Sequence, residues 1–360
     1  MIGARGNREL FNRNLTRIFL ALKNGSPLSK NDLCQRLELS RPTVDRAISQ
    51  LLDSGFVRQD GRGPSAGGRR AILYAIDSRA RYTVGGDLEI PELNIVVAGL
   101  DEVPVVSKSL TIPSHLVTDP QKTLSFVAQS IENVLNEAGI PLQRIVGIGL
   151  GVPAFLRDET ITISGRNLPH WVRVPAKRTL EQTLGVPVFV NNDVKFMSLA
   201  EHRAMGYRDR VMAYLALRRG LQGDIRMGGS VLINGKLFHG GNGNAGALYH
   251  AYVEANEISQ STSDDPATMV EQLADRLLEP IVHLLHLFDP NRLVVNATTL
   301  GEGEEAFINA ISSRLERMHY EGVEHGMTVT AAREQKLSCA KGGALFALEK
   351  ALQRPIELIT

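Results

Sequence analysis

The chain has 360 residues, 43% hydrophobic and 22% charged, with 33 Gly and 16 Pro. At ~150 residues per domain that excludes a lone small module, and the composition excludes collagenous, low-complexity and disordered chains. Cys34 and Cys339 are the only cysteines, which rules out a disulfide framework and any zinc site closed by three or four cysteines. The opening segment lacks an apolar signal core, and no stretch approaches the ~18 apolar residues of a spanning helix, so a cytoplasmic protein with no membrane partner is expected. The net charge of +1 conceals an asymmetry: residues 1–81 carry fifteen Lys or Arg against seven Asp or Glu, and residues 82–360 carry 25 against 32. A basic N-terminal unit on a mildly acidic body suits a protein whose first part meets a polyanion.

From Glu9 to Lys23, Leu10, Phe11, Leu15, Ile18, Phe19 and Leu22 recur at helical spacing, and Asn24-Gly25-Ser26-Pro27 ends the run. Ser29 is expected to cap a second helix carrying Leu33 and Leu37, with Asp32 completing a capping box. Ser40 is expected to cap a third, with Arg41 and Pro42 in its first turn, an apolar face of Val44, Ile48, Leu51 and Leu52, and Gly55 as its stop. Two short helices joined by a tight turn read as a helix-turn-helix. Two strands follow, Phe56–Gln59 and Ala71–Tyr74, joined by a Gly-rich basic loop over 61–70 that reads as a wing. In such a module the third helix enters the major groove, which makes Arg41, Thr43 and Arg46 candidate DNA contacts, and Arg46 can donate two hydrogen bonds to a guanine edge. Arg62, Arg69 and Arg70 on the wing are candidates for phosphate or the minor groove. A winged helix used only for protein contacts is the competing reading.

Past Asp77 the pattern changes. Residues 82–88 and 93–100 read as a β-hairpin, Pro104–Thr111 as a third strand, Pro120–Glu137 as an amphipathic helix and Ile145–Val152 as a buried parallel strand. A helix ends at Leu184, and Val186–Val190 leads into Asn191-Asn192-Asp193. The alternation implies an α/β fold. Asn192 and Asp193 lie at the carboxyl end of a strand, where open α/β sheets bind ligands, and an amide beside a carboxylate suits vicinal hydroxyls. The alternative is a strand-end cap in which Asp193 receives the amides of the next helix.

A winged helix followed by Gly86-Asp87, the Gly147–Pro153 run, Asn167-Leu-Pro-His-Trp171, the Gly185–Asp193 run, Asn234-Gly235 and Gly243-Asn-Ala-Gly246 before His250 resembles the ROK (repressor, open reading frame, kinase) family over nearly the whole chain. The resemblance implies a winged helix-turn-helix at 1–80 and, at 81–360, a sugar-kinase-like body of two actin-like (ribonuclease H-like) α/β lobes. It also implies that Asn167, Asn192, Asp193 and His250 occupy sugar-binding positions, Asp193 at that of the catalytic base. The departures are specific. Asp87 is followed by Leu88-Glu89-Ile90-Pro91-Glu92 instead of a phosphate-holding glycine stretch. The second phosphate loop becomes Asp224-Ile225-Arg226-Met227-Gly228, and Asn296-Ala297 replace the glycine pair that flanks adenosine. Members of the family commonly bind zinc through a histidine and three cysteines, yet 251–265 contains no cysteine. A sugar-binding glutamate has become Ala247, and a glycine Tyr249.

The expectation is therefore a DNA-binding regulator of carbohydrate-related genes, a repressor, with an inactive kinase-like body. Its partners are a double-stranded DNA operator and a sugar or sugar-derivative effector. A palindromic operator requires a homodimer or higher homo-oligomer. No catalytic residue, cofactor or metal is assigned. Two alternatives stand beside it: an active sugar kinase using Asp193 as base, and a ligand-independent DNA-binding regulator.

Overall fold

The computed structural model describes residues 2–25, 27–64, 70–164, 168, 170–220, 222–248, 251–254, 257, 266–317, 326–335 and 337–353. The first apolar periodicity becomes α1 (Ile2–Lys23), which begins ahead of Glu9. The short strand β1 (Leu28–Ser29) feeds α2 (Lys30–Leu37), where the capping box forms as expected: the Asp32 amide donates to Ser29 Oγ (3.2 Å) and the Ser29 amide to Asp32 Oδ2 (2.8 Å). Glu38, at φ 53°, turns the chain into α3 (Arg41–Asp53). Ser40 is the N-cap residue of α3, but its hydroxyl meets Thr43 Oγ1 (2.8 Å) and no backbone amide, which corrects the expected cap.

Strands β2 (Val57–Arg62) and β3 (Ile72–Ile76) complete a sheet of order β1-β3-β2. β2 runs further than expected because Gly61, at φ 87°, sits where the register shifts between Gln59 and Arg62. Only glycine enters that left-handed conformation freely, so a bulge extends the strand. Gly61 and Arg62 thus belong to β2 and not to the loop.

The hairpin β4 (Tyr82–Glu89) and β5 (Glu92–Gly99) continues into β6 (Pro104–Thr111). The amphipathic helix α4 (Pro120–Glu137) then crosses to β7 (Ile145–Val152). A small hairpin, β8 (Ala154–Arg157) with β9 (Thr160–Ser164), precedes α5 (Ala176–Leu184) and β10 (Val188–Asn192). The sheet order is β10-β7-β4-β5-β6, with β10, β7 and β4 parallel. Helix α6 (Asp193–Met205) leads to the second lobe: β11 (Val211–Arg219), β12 (Ile225–Ile233), β13 (Lys236–Leu237), β14 (Tyr252–Val253), α7 (Pro266–Phe288), β15 (Arg292–Asn296), α8 (Glu304–Arg317) and β16 (Thr328–Ala331). The chain then returns to the first lobe in α9 (Ser338–Leu352). This is a winged helix followed by two actin-like α/β lobes. Among the described residues no helix is long and apolar enough to cross a membrane.

Close packing explains part of the glycine pattern of β7. A Cβ on Gly149 would lie 2.1 Å from the Gly343 carbonyl oxygen of α9, so Gly149 lets helix and sheet backbones touch. The winged helix is not a separate bead. Leu100 after β5 and Leu348 of α9 are buried in the same cluster as Leu15, Phe19, Ile48 and Phe56. Lys23, at the end of α1, donates to Glu102 (2.6 Å), which also accepts from Arg203 of α6 (2.5 Å).

Candidate functional site

On α3, Val44, Ala47, Ile48 and Leu51 are buried at three- and four-residue spacing, which leaves Arg41, Pro42, Arg46 and Ser49 exposed on the other side. Arg41 is already engaged: its Nε lies 3.1 Å from Asp45 Oδ1 and its Nη1 donates to Asn31 Oδ1 (2.5 Å). Lys30 joins the same carboxylate (2.8 Å), and Lys30 and Arg41 hold Asp45 below its ordinary pKa. Thr43 is half-buried and tied to Ser40. The Arg46 guanidinium stacks over the Phe11 ring of α1, 4.3 Å from its centroid. A cation over a ring face is attracted by the ring's quadrupole, so the contact helps to order the exposed guanidinium. Arg62 and Arg70 are exposed; Arg69 lies outside the described residues. The i,i+4 spacing of Arg41 and Asp45 was the one signal of this pairing in the sequence.

The second site is the cleft at the carboxyl ends of β4, β7 and β10, where Asp87 pairs in register with Gly151 and Asn192 with Val152. Asn192, not Asp193, caps α6: the Val194 amide donates to Asn192 Oδ1 (3.1 Å). This corrects the reading in which Asp193 is the cap. Asp193 is buried one residue on, 3.6 Å from Arg218 Nη2. Asn167 and His250, and Tyr249 beside it, lie outside the described residues.

Arg218 is the residue that sequence reasoning missed. From β11 it crosses to the first lobe, donates through Nη1 to Glu89 Oε2 (2.6 Å), and has Nη2 near Asp193. Asp87 is buried beside this group, and its Oδ1 has no partner among the described residues. One guanidinium therefore faces three carboxylates. Burial raises the pKa of Asp87 against the pull of Arg218, and burial together with Asp87 and Asp193 pushes Glu89 up to about 7. Burial opposes the charge on Arg218, but Glu89, Asp193 and Asp87 outweigh it and hold the guanidinium protonated. Burial, then Asp87, raises the Cys339 thiol far above its ordinary value, so it is no nucleophile.

The positions of the lost phosphate loop are filled. Asp224 is fully buried and accepts from Arg226 Nε (2.5 Å), and its carboxylate occupies the space where a Cβ on Gly220 would sit. Asn296 accepts from the Thr298 hydroxyl (2.8 Å) and donates to the Tyr214 hydroxyl (3.2 Å). Side chains thus stand where backbone amides would have to approach phosphate. Cys34 belongs to α2, Cys339 lies against Asp87, and among the described residues no three His, Cys, Asp or Glu side chains converge on a common point.

Two further residues close the cleft. Lys195, 1% exposed, donates to the Gly243 carbonyl, and burial pulls its pKa down to about 8. Asn244 accepts from the Leu156 amide (3.0 Å) and donates to its carbonyl (2.8 Å), tying the 243–246 turn to β8.

Residues 105–262 match the ROK family, and residues 14–61 match the IclR helix-turn-helix domain. The chain is 25% identical over 249 residues to the xylose repressor of Caldicellulosiruptor bescii, a match covering 69% of this chain and 61% of that protein. It is 25% identical over 257 residues to the DNA-binding transcriptional dual regulator NagC of Escherichia coli K12, covering 69% and 60%. The chain thus spans about three fifths of the length of these relatives. A crystal structure of a ROK family transcriptional regulator, a homolog of the E. coli MLC protein, shares the fold at a TM-score of 0.72 and 15% identity, over 97% of this chain and 98% of that one. The ROK hexokinase of Thermus thermophilus does so at 0.57 and 23%, over 76% and 99%. The winged helix, the two lobes and both family matches identify a ROK family domain behind an N-terminal helix-turn-helix.

Proposed function

We propose that the protein is a cytoplasmic DNA-binding repressor whose body senses a sugar and does not phosphorylate one. In this reading residues 1–80 bind an operator as part of a homodimer and residues 81–360 bind the effector. The observation that carries it is the exposed face of α3, with Arg46 laid along Phe11, on a winged helix whose core is shared with the body. Relatives named as a xylose repressor and as an N-acetylglucosamine repressor support a sugar or sugar derivative as effector. Asn167, Asn192, Asp193 and His250 are the residues assigned to it, and Arg41, Thr43, Arg46, Arg62, Arg69 and Arg70 those assigned to DNA. Arg41 reaches DNA by exchanging its bonds to Asp45 and Asn31 for phosphate or base contacts.

The test is binding to the DNA upstream of the protein's own gene. Affinity should fall steeply with salt, as counterion release requires. Arg46→Ala should cost about 1–3 kcal/mol and relax preference at one operator position, whereas Arg69→Ala with Arg70→Ala should weaken all sequences alike and flatten the salt slope. Salt-insensitive binding, unchanged by these substitutions, would remove the DNA-binding reading.

Inactivity as a kinase is supported by Arg218, bound among the carboxylates of the cleft, and by Asp224 and Arg226, a paired acid and base where the resemblance places the second phosphate loop. The second reading, an active sugar kinase, is favoured by one observation: Asp87 and Asp193 both remain at the cleft. Sugar-dependent production of ADP, abolished by Asp193→Asn, would establish it. The expected result is none.

A further inference from the structure

At the end of the first-lobe sheet opposite the cleft, a cavity of about 220 Å³ lies between β4, β5, α6 and α9. At ~30 Å³ per water it has the volume of about seven waters, room for one small organic molecule. Leu348 forms part of its wall and also belongs to the winged-helix core. Thr83 lines it too; that residue is 1% exposed, and its hydroxyl has no hydrogen-bond partner among the described residues. A buried hydroxyl left unpaired is unfavourable, so a ligand oxygen there would satisfy it.

Charge fixes the class of ligand. Two ion pairs border the cavity, Glu102 with Arg203 (2.5 Å) and Glu334 with Lys341. Lys23 of α1 binds the same Glu102 (2.6 Å). Three cations therefore share two carboxylates, and a single negative charge completes the set. Beside them Glu349, whose pKa burial raises, faces Arg203 first and then Lys350, so with this pair counted four cations stand against three carboxylates and one positive charge is still left over. The remaining walls are alanine, leucine, valine and proline side chains.

We propose that this cavity is a second ligand site, for a small monocarboxylate with an apolar body. Its carboxylate would lie between Arg203 and Lys341, its body against α9, and a further oxygen, where present, on Thr83. Such a ligand competes with Glu102 for Arg203. Glu102 is also the partner of Lys23, so occupancy alters how α1 is held. This inference does not depend on what the cleft binds.

The test is calorimetric titration of the full-length protein with benzoate, 4-hydroxybenzoate and hexanoate, with benzyl alcohol as the uncharged control. At least one carboxylate should bind with Kd below about 10 mM, and benzyl alcohol about tenfold more weakly or worse. Arg203→Gln should weaken the carboxylate about tenfold, the loss of one charge-assisted contact. Ala204→Phe, on an exposed position of α6 that lines the cavity, should abolish binding while leaving the fold intact. Failure of all three carboxylates to bind overturns the proposal. So does binding that survives both substitutions.

Discussion

At the scale of single residues, the chemistry of the cleft turns on Arg218. Its guanidinium bonds Glu89 and lies near Asp193, beside the buried Asp87. Replacing it by methionine leaves carboxylates crowded in a partly dry site. Breaking a fully buried pair costs ~3–5 kcal/mol, and with a quarter of Arg218 exposed roughly 2–4 kcal/mol is expected for Arg218→Met, read by denaturant unfolding. The loss should be largest above pH 7 and shrink at lower pH as the carboxylates take up protons. Glu89 gives a second pH test. Its pKa is about 7 in the folded chain against an ordinary 4.5, so the folded state holds that proton more tightly than the unfolded one. The stability it contributes is complete below pH 4.5 and is lost as the pH rises through 7. Glu89→Gln should flatten that part of the stability curve, a change on the order of 1–3 kcal/mol. A curve of unchanged slope would mean that Glu89 is ionised throughout. None of this was legible in the sequence beyond the loss of the glycines. Arg218 and Glu89 are 129 positions apart, and no periodicity links them. Asn192 and Asp193 were correctly placed at a strand end, but adjacency could not say which one caps α6 and which one faces the arginine.

At the scale of elements, α6 and α9 join the two sites. Both start at the cleft, α6 with Asp193 and α9 with Cys339 near Asp87, and both end at the winged helix, α6 through Arg203 and Glu102 to Lys23, α9 through Leu348. They touch backbone to backbone at Gly342, where a Cβ would lie 1.8 Å from the Phe196 carbonyl oxygen. Gly342→Ala should therefore destabilise the protein at the upper end of the ~1–3 kcal/mol typical of overpacking, and a thermal melt indistinguishable from wild type would contradict the contact. Elements with strong local signals were read well from sequence. Pro120 opens α4 and Glu137 closes it, and the eight residues of β7 form one apolar run. The capping box of α2 was legible because both of its partners lie within four residues. The path along α6 and α9 was not, because it depends on which faces of two helices far apart in sequence meet.

At the scale of the molecule, a shared core gives the winged helix no freedom to ignore the body. Lobe rearrangement that moves α6 or α9 must move Glu102 and Leu348, and with them α1 and the helices packed on it. A ligand shifts such an equilibrium only by its differential affinity for the two arrangements, and the coupling is reciprocal. The order of these parts and the charge asymmetry between them are legible in the sequence; their mechanical connection is not, because it rests on contacts between residues far apart in the chain. The most direct measurement is operator affinity by fluorescence anisotropy, without ATP, across a panel of sugars, sugar phosphates and polyols, for wild type and Asp193→Asn. One ligand in the panel should change wild-type affinity about 5–150-fold, a coupling of ~1–3 kcal/mol, and Asp193→Asn should lose that response while binding the operator normally in its absence. A wild type whose operator affinity no ligand changes, or a variant that responds as fully as wild type, would contradict the account.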